Sequence, residues 1–93
     1  MFSTADRLTR APGVVSRTLD GQAVVLNVSS GTYIVLNEVG SRVWELIGEG
    51  TTVADVHAAL LAEFDVASEV LEKDLLDVLQ SFAERGLVIQ ERA

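Results

Sequence analysis

Residues 21–49 read GQAVVLNVSSGTYIVLNEVGSRVWELIGE, a continuous block of two short apolar strands, a tight turn and the start of a helix. Val24, Val25, Leu26 and Val28 mark a strand over Gln22–Val28. Ser29-Ser30-Gly31 then supplies a turn in which the glycine can take positive φ. Thr32-Tyr33-Ile34-Val35-Leu36 follows as a further strand, apolar on both pleat faces because side chains alternate sides. A solvated sheet in so small a protein buries only one of those faces. An edge strand with surplus apolar surface also offers unpaired N–H and C=O groups to an incoming chain, which points to peptide binding rather than catalysis. Asn37 stands as the N-cap of a helix, and Glu38 in its first turn suits the helix dipole. Val39, Val43, Leu46 and Ile47 keep helical spacing, with Trp44 alongside, until Gly48-Glu49-Gly50 ends it.

Val14–Leu19 forms a strand before the block, joined to the next by Asp20-Gly21, a pair that favours a type I′ hairpin turn. The three strands make an antiparallel meander in the order one-two-three, with the third at an edge. Residues 1–13 read as a flexible polar lead closed by Ala11-Pro12-Gly13, and residues 14–93 as a single domain. Downstream, Thr52-Val53-Ala54-Asp55 resembles a capping box, and Val53, Val56, Leu60 and Phe64 line one face of a second helix. Asp65–Ser68 connects to a third helix over about Glu69–Arg85, with Ser68 as its candidate cap. Leu71, Leu75, Val78, Leu79 and Phe82 form its central stripe, flanked by Val70 and Leu76. That arc is wider than a surface helix needs, so it can serve the core and a groove wall together. Gly86 caps the helix and Leu87-Val88-Ile89 follows as an apolar tail. The class is α+β, a three-stranded antiparallel sheet followed by three helices.

Composition narrows the function. The 93 residues are 48% apolar and contain no cysteine, which excludes disulfides and thiolate metal sites and fits a reducing cytoplasm. No apolar run approaches a membrane span or a signal sequence, so the expectation is a soluble cytoplasmic protein without a membrane partner. Fourteen acidic against seven basic side chains give a net charge of −7, with Lys73 the single lysine. Nucleic-acid binding neutralises phosphates with Lys and Arg, so nucleic acid is disfavoured as a partner.

Candidate chemical residues resolve mostly into structure. His57 is the only histidine and has no second ligand at i+4, which makes a poor metal site. Asp74 and Asp77, three apart, read as solvated helix charge, although Asp74 lies between Val70 and Val78 beside the apolar arc, where it can receive a basic or N–H group from a ligand. Ser16, Ser29, Ser30 and Ser81 lack the GxSxG or SxxK context of a nucleophile. Gly40 and Gly48 build no phosphate loop. Trp44 reads as a core anchor, and Tyr33 either as a sheet aromatic or as a groove residue with its hydroxyl at the rim. No enzyme signature, cofactor loop or metal cluster emerges.

The run Gly31-Thr32-Tyr33-Ile34-Val35-Leu36-Asn37, a GxYxxLN pattern, resembles the PqqD family. The resemblance continues through Gly40, Val43-Trp44-Glu45-Leu46-Ile47, Thr51-Thr52, Asp74-Leu75, Val78-Leu79 and Gly86-Leu87-Val88, and so covers nearly all of residues 21–88. It implies a winged-helix-like domain that acts as the recognition element for ribosomally made, post-translationally modified peptides. In the family, a non-catalytic chaperone captures a precursor's leader segment as a strand added to the third strand, in a groove walled by the third helix. Carried onto this chain, the peptide-binding residues are Thr32, Tyr33, Ile34, Val35 and Leu36, with Leu71, Asp74, Leu75 and Val78 on the wall. The partners implied are the leader peptide and a modifying enzyme. In pyrroloquinoline quinone synthesis that enzyme is a radical S-adenosylmethionine protein, and in lasso-peptide synthesis a leader peptidase; the motif fits both branches.

Two other classes compete. A winged-helix DNA-binding regulator would place a helix in the major groove. Here the third helix carries Glu69, Glu72, Asp74, Asp77 and Glu84 against Lys73 and Arg85, which repels phosphates. A protein–protein adaptor would use the same apolar edge for a folded partner, and an open edge can also pair two copies of the chain as a homodimer. A small hydrolase has the least support.

Overall fold

The expected meander forms with a two-residue hairpin at its first turn. In the computed structural model, which describes residues 2–48 and 50–92, strands β2 (Val14–Leu19), β3 (Gln22–Asn27) and β4 (Thr32–Val35) pair antiparallel in the order β2-β3-β4. Asp20 and Gly21 both take positive φ, 52° and 80°, as a type I′ turn requires. Met1, Glu49 and Ala93 lie outside the described residues, and with them one residue of the 1–13 lead and two of the 14–93 domain, one of these in the Gly48-Glu49-Gly50 turn.

The helices follow as α1 (Glu38–Leu46), α2 (Val53–Glu63) and α3 (Ser68–Glu84). The Asn37 side chain accepts from the Gly40 N–H at 2.8 Å, and the Thr52–Asp55 capping box is complete. Ser68 is not a cap. It is the first residue of α3, and Ala67 occupies the cap position with no side-chain hydrogen bond. The Ser68 carbonyl instead accepts from His57 Nε2 at 3.1 Å, which accounts for the lone histidine. At the far end Gly86 takes φ 72°, its N–H donates to the Ala83 carbonyl, and Leu87 N–H donates to the Phe82 carbonyl. That pair of bonds is a Schellman closure, sealed by the buried side chains of Leu87 and Phe82.

A second sheet departs from the expected order. Strand β1 (Arg7–Arg10) lies between β5 (Thr51–Thr52) and β6 (Val88–Glu91), antiparallel to both. The stretch expected as a flexible lead therefore supplies a central strand, with Phe2 and Leu8 buried in the core. Its carbonyls also satisfy the start of α2, where Val53 N–H donates to Asp6 and Ala54 N–H to Thr4. Arg7-Leu8-Thr9-Arg10 contains one apolar residue, too few for a visible alternation. It is a strand because both its neighbours offer ladder partners.

One core joins these layers, with Val25 from the sheet, Val43 and Trp44 from α1, Val56 and Leu60 from α2, and Leu75 and Leu79 from α3. Across α1 and α2, Arg42 clamps Glu63 at 2.6 Å and 2.8 Å, and the guanidinium holds that carboxyl below the usual carboxylate range. Among the described residues no helix is long and apolar enough to cross a membrane.

Candidate functional site

Strand β4 is an open edge, and the ladder dictates which of its residues face outward. Leu36 N–H donates to the Ala23 carbonyl at 2.8 Å, beside the pairs Val24–Val35, Val25–Ile34 and Leu26–Tyr33. Hydrogen-bonded and non-hydrogen-bonded pairs alternate in an antiparallel ladder, so Ile34 and Thr32 bond inward to β3. Tyr33 and Val35 consequently turn their N–H and C=O groups to the open edge. The same alternation places their side chains on the outer face of the sheet, where they are 68% and 53% exposed.

The edge ends at a side-chain device. Ser41, buried on α1, accepts from Ala23 N–H at 2.8 Å and donates to the Leu36 carbonyl at 3.2 Å. Its hydroxyl is thus inserted where the last ladder bond would run, and turns the chain from β4 into α1. At the other end Gly31, with φ 73°, donates to the Asn27 carbonyl, and Asn27 Oδ1 accepts from Ser29 and Ser30 N–H.

Between β4 and the C-terminal half of α3 runs a groove with two hollows. The larger, about 400 Å³, lies against Asn27, Thr32, Ile34, Glu84, Arg85 and Leu87. The smaller, about 210 Å³, is lined by Ile34, Leu36, Val78, Ser81 and Phe82. Ile34 borders both. Phe82 is braced from behind by the Trp44 ring, which meets it edge-on with centroids 5.9 Å apart. Arg10 lies 4.5 Å over that indole and donates to the Trp44 carbonyl at 2.6 Å. Burial pushes its guanidinium pKa down, partly offset by Glu45. The new sheet is thereby tied to the floor of the groove.

The residues expected at the site divide. Thr32, Ile34, Leu36 and Val78 line the hollows; Tyr33 and Val35 form the edge and touch them. Leu71 and Leu75 point into the core, at 5% and 2% exposure. Asp74 is exposed, one turn before Val78. At about 100° per residue, Asp74 and Ser81 both fall within about 60° of Val78, so the carboxylate stands on the same stripe, toward solvent. Ser81, Phe82, Glu84 and Arg85 line the groove without being among the residues that the sequence assigns to the peptide. The Gly86 cap was the available signal, because it reverses the chain beside β4 and brings the end of α3 against Asn27, 3.4 Å from where a Cβ on Gly86 would stand. Among the described residues, no group of three or more His, Cys, Asp or Glu is placed to hold a metal ion.

Among curated proteins, none matches this chain. Two solved structures resemble it closely. TbiB1 in complex with the TbiA(beta) leader peptide is 36% identical, with a TM-score of 0.81 over 86% of this chain and 93% of that one. A lasso peptide synthetase B1 complexed with the leader peptide is 26% identical, with a TM-score of 0.78 over 88% of this chain and 96% of that one. The family model for coenzyme PQQ synthesis protein D matches residues 22–88, which hold β3 and β4 of the meander, all three helices and the Gly86 closure, and the chain belongs to the PqqD family.

Proposed function

We propose that this protein is a non-catalytic peptide chaperone. It binds the leader of a ribosomally made precursor as a strand added to β4 and presents it to a modifying enzyme. The observation that carries this reading is the pair Tyr33 and Val35, whose main-chain groups face an open edge directly above a groove between β4 and α3. Main-chain hydrogen bonds along such an edge supply affinity, and hollows beneath alternate peptide residues supply selectivity. The two similar structures hold leader peptides, which supports the same class of ligand here. Asp74, on the solvent side of the α3 wall, is suited to a basic residue of the peptide.

Of the two branches of this chemistry, the lasso branch has the added support of the B1 neighbour, with a leader peptidase as the enzyme served. The absence of a nucleophile context and a cofactor loop in the sequence supports a binding role over a catalytic one. The reading is tested with a fluorescently labelled synthetic TbiA(beta) leader, the peptide held by the 36% identical TbiB1. Saturable binding, competed by unlabelled leader and not by the core segment of the same precursor, is the expected result. Failure of that leader to bind, or its turnover by the purified protein alone, overturns it.

A further inference from the structure

The outer face of the meander is largely apolar, Arg17 apart, although it covers nothing. Pairing across the sheet arranges it in rows: Val15, Leu26 and Tyr33 in one, Arg17, Val24 and Val35 in the next. Val15, Tyr33 and Val35 are each more than half exposed. An exposed apolar row of this length is a cost unless something extends or covers it. The register of the open edge states what does so. A strand bonded to the N–H and C=O groups of Tyr33 and Val35 places its own hydrogen-bonded residues directly opposite them, with their side chains on the outer face. The residue between those two turns inward, over the groove.

Resting on the leader-binding reading, we propose that Tyr33 and Val35 are specificity-determining side chains that read the bound peptide from its solvent side. They continue the two rows onto a pair of peptide residues spaced i, i+2. The ligand is therefore a segment apolar at both outward positions, β-branched or aromatic, as well as at the inward position between them. The hollows of the groove select one face of the peptide, and the exposed rows select the other.

The test separates side chain from main chain. Tyr33→Thr and Val35→Thr keep the edge amides and a β-favouring residue while removing the apolar contact. Each is expected to weaken binding of the labelled leader about two- to fivefold, as cross-strand pairs do, with both together losing about tenfold. Thermal unfolding of each variant should show only a small loss, no more than the about 0.2–1 kcal/mol of the exposed cross-strand pairs with Leu26 and Val24. The leader is then scanned with serine at each position. Two positions, two apart, should lose affinity against the parent and lose none against the double variant. Parent-like binding by the double variant, with the Val35→Pro variant unable to bind, overturns this proposal and leaves strand addition standing. Parent protein that does not bind the leader at all overturns both.

Discussion

The Trp44 indole meets the Phe82 ring edge-on, at 84° between planes and 5.9 Å between centroids. The contact joins α1 to α3 behind the groove, and Phe82 is at once a core residue and part of the groove's lining. An edge-to-face pair contributes about 0.5–1.5 kcal/mol beyond its buried area. Phe82→Leu keeps an apolar side chain and removes that contact. It should lower stability by about 1–2 kcal/mol in chemical denaturation and also weaken peptide binding. A loss of stability with unchanged peptide affinity would detach Phe82 from the site.

The bridging hydroxyl of Ser41 gives a second expectation. Ser41→Ala leaves the Ala23 N–H and the Leu36 carbonyl without the group that joins them, in a buried position. The cost of unsatisfied buried groups is about 1–3 kcal/mol. For a domain of this size, each 1 kcal/mol lowers Tm by about 4–8 °C. A Tm within 2 °C of the parent, roughly below the smallest effect that this scale allows, would show that the ladder closes directly without the hydroxyl.

Position 35 distinguishes the edge from the ladder. Val35→Pro removes an N–H that points away from β3, so the meander should persist with nearly parental circular dichroism, as proline is tolerated on edge strands. Peptide affinity should fall about tenfold or more, because a ladder bond is lost and the ring obstructs pairing. Ile34→Pro is the converse, removing an N–H donated to Val25, and should unfold the sheet. Equal unfolding by both substitutions would contradict the register.

Asp74 tests the wall. It is exposed, so Asp74→Lys should shift thermal stability by no more than about 0.5 kcal/mol. Binding of a leader with a basic residue over α3 should weaken several-fold, and a leader with that residue changed to glutamate should recover. Identical titration curves for parent and variant with both leaders would remove Asp74 from the contact.

How much of this was legible in the sequence depends on where each signal is stored. Local signals were strong in Asp20-Gly21, Asn37, the Thr52–Asp55 box and Gly86, each of which imposes its structure on its immediate neighbours. The apolar excess of Thr32–Leu36 likewise announced an open edge. Strand β1 was hidden because Arg7-Leu8-Thr9-Arg10 becomes a strand only through partners more than forty residues away in sequence. The groove lies later along α3 than the expected wall for a related reason. Leu71, Leu75 and Val78 share one stripe in sequence, but packing against α2 and the sheet turns Leu71 and Leu75 inward and leaves the groove to Val78, Ser81 and Phe82. Helical periodicity reports which face is apolar and says nothing of where along it the sheet edge crosses.

Pairing of a peptide strand with β4 is read out by hydrogen exchange at three consecutive amides. In the free protein Ile34 N–H is held by the ladder, while Tyr33 and Val35 N–H face solvent at the edge. On saturation with the leader, Tyr33 and Val35 amides should gain protection together, while Ile34 stays protected throughout. Unchanged exchange at Tyr33 and Val35, with new protection confined to residues 53–64, would place the peptide on another face and rule out strand addition at β4.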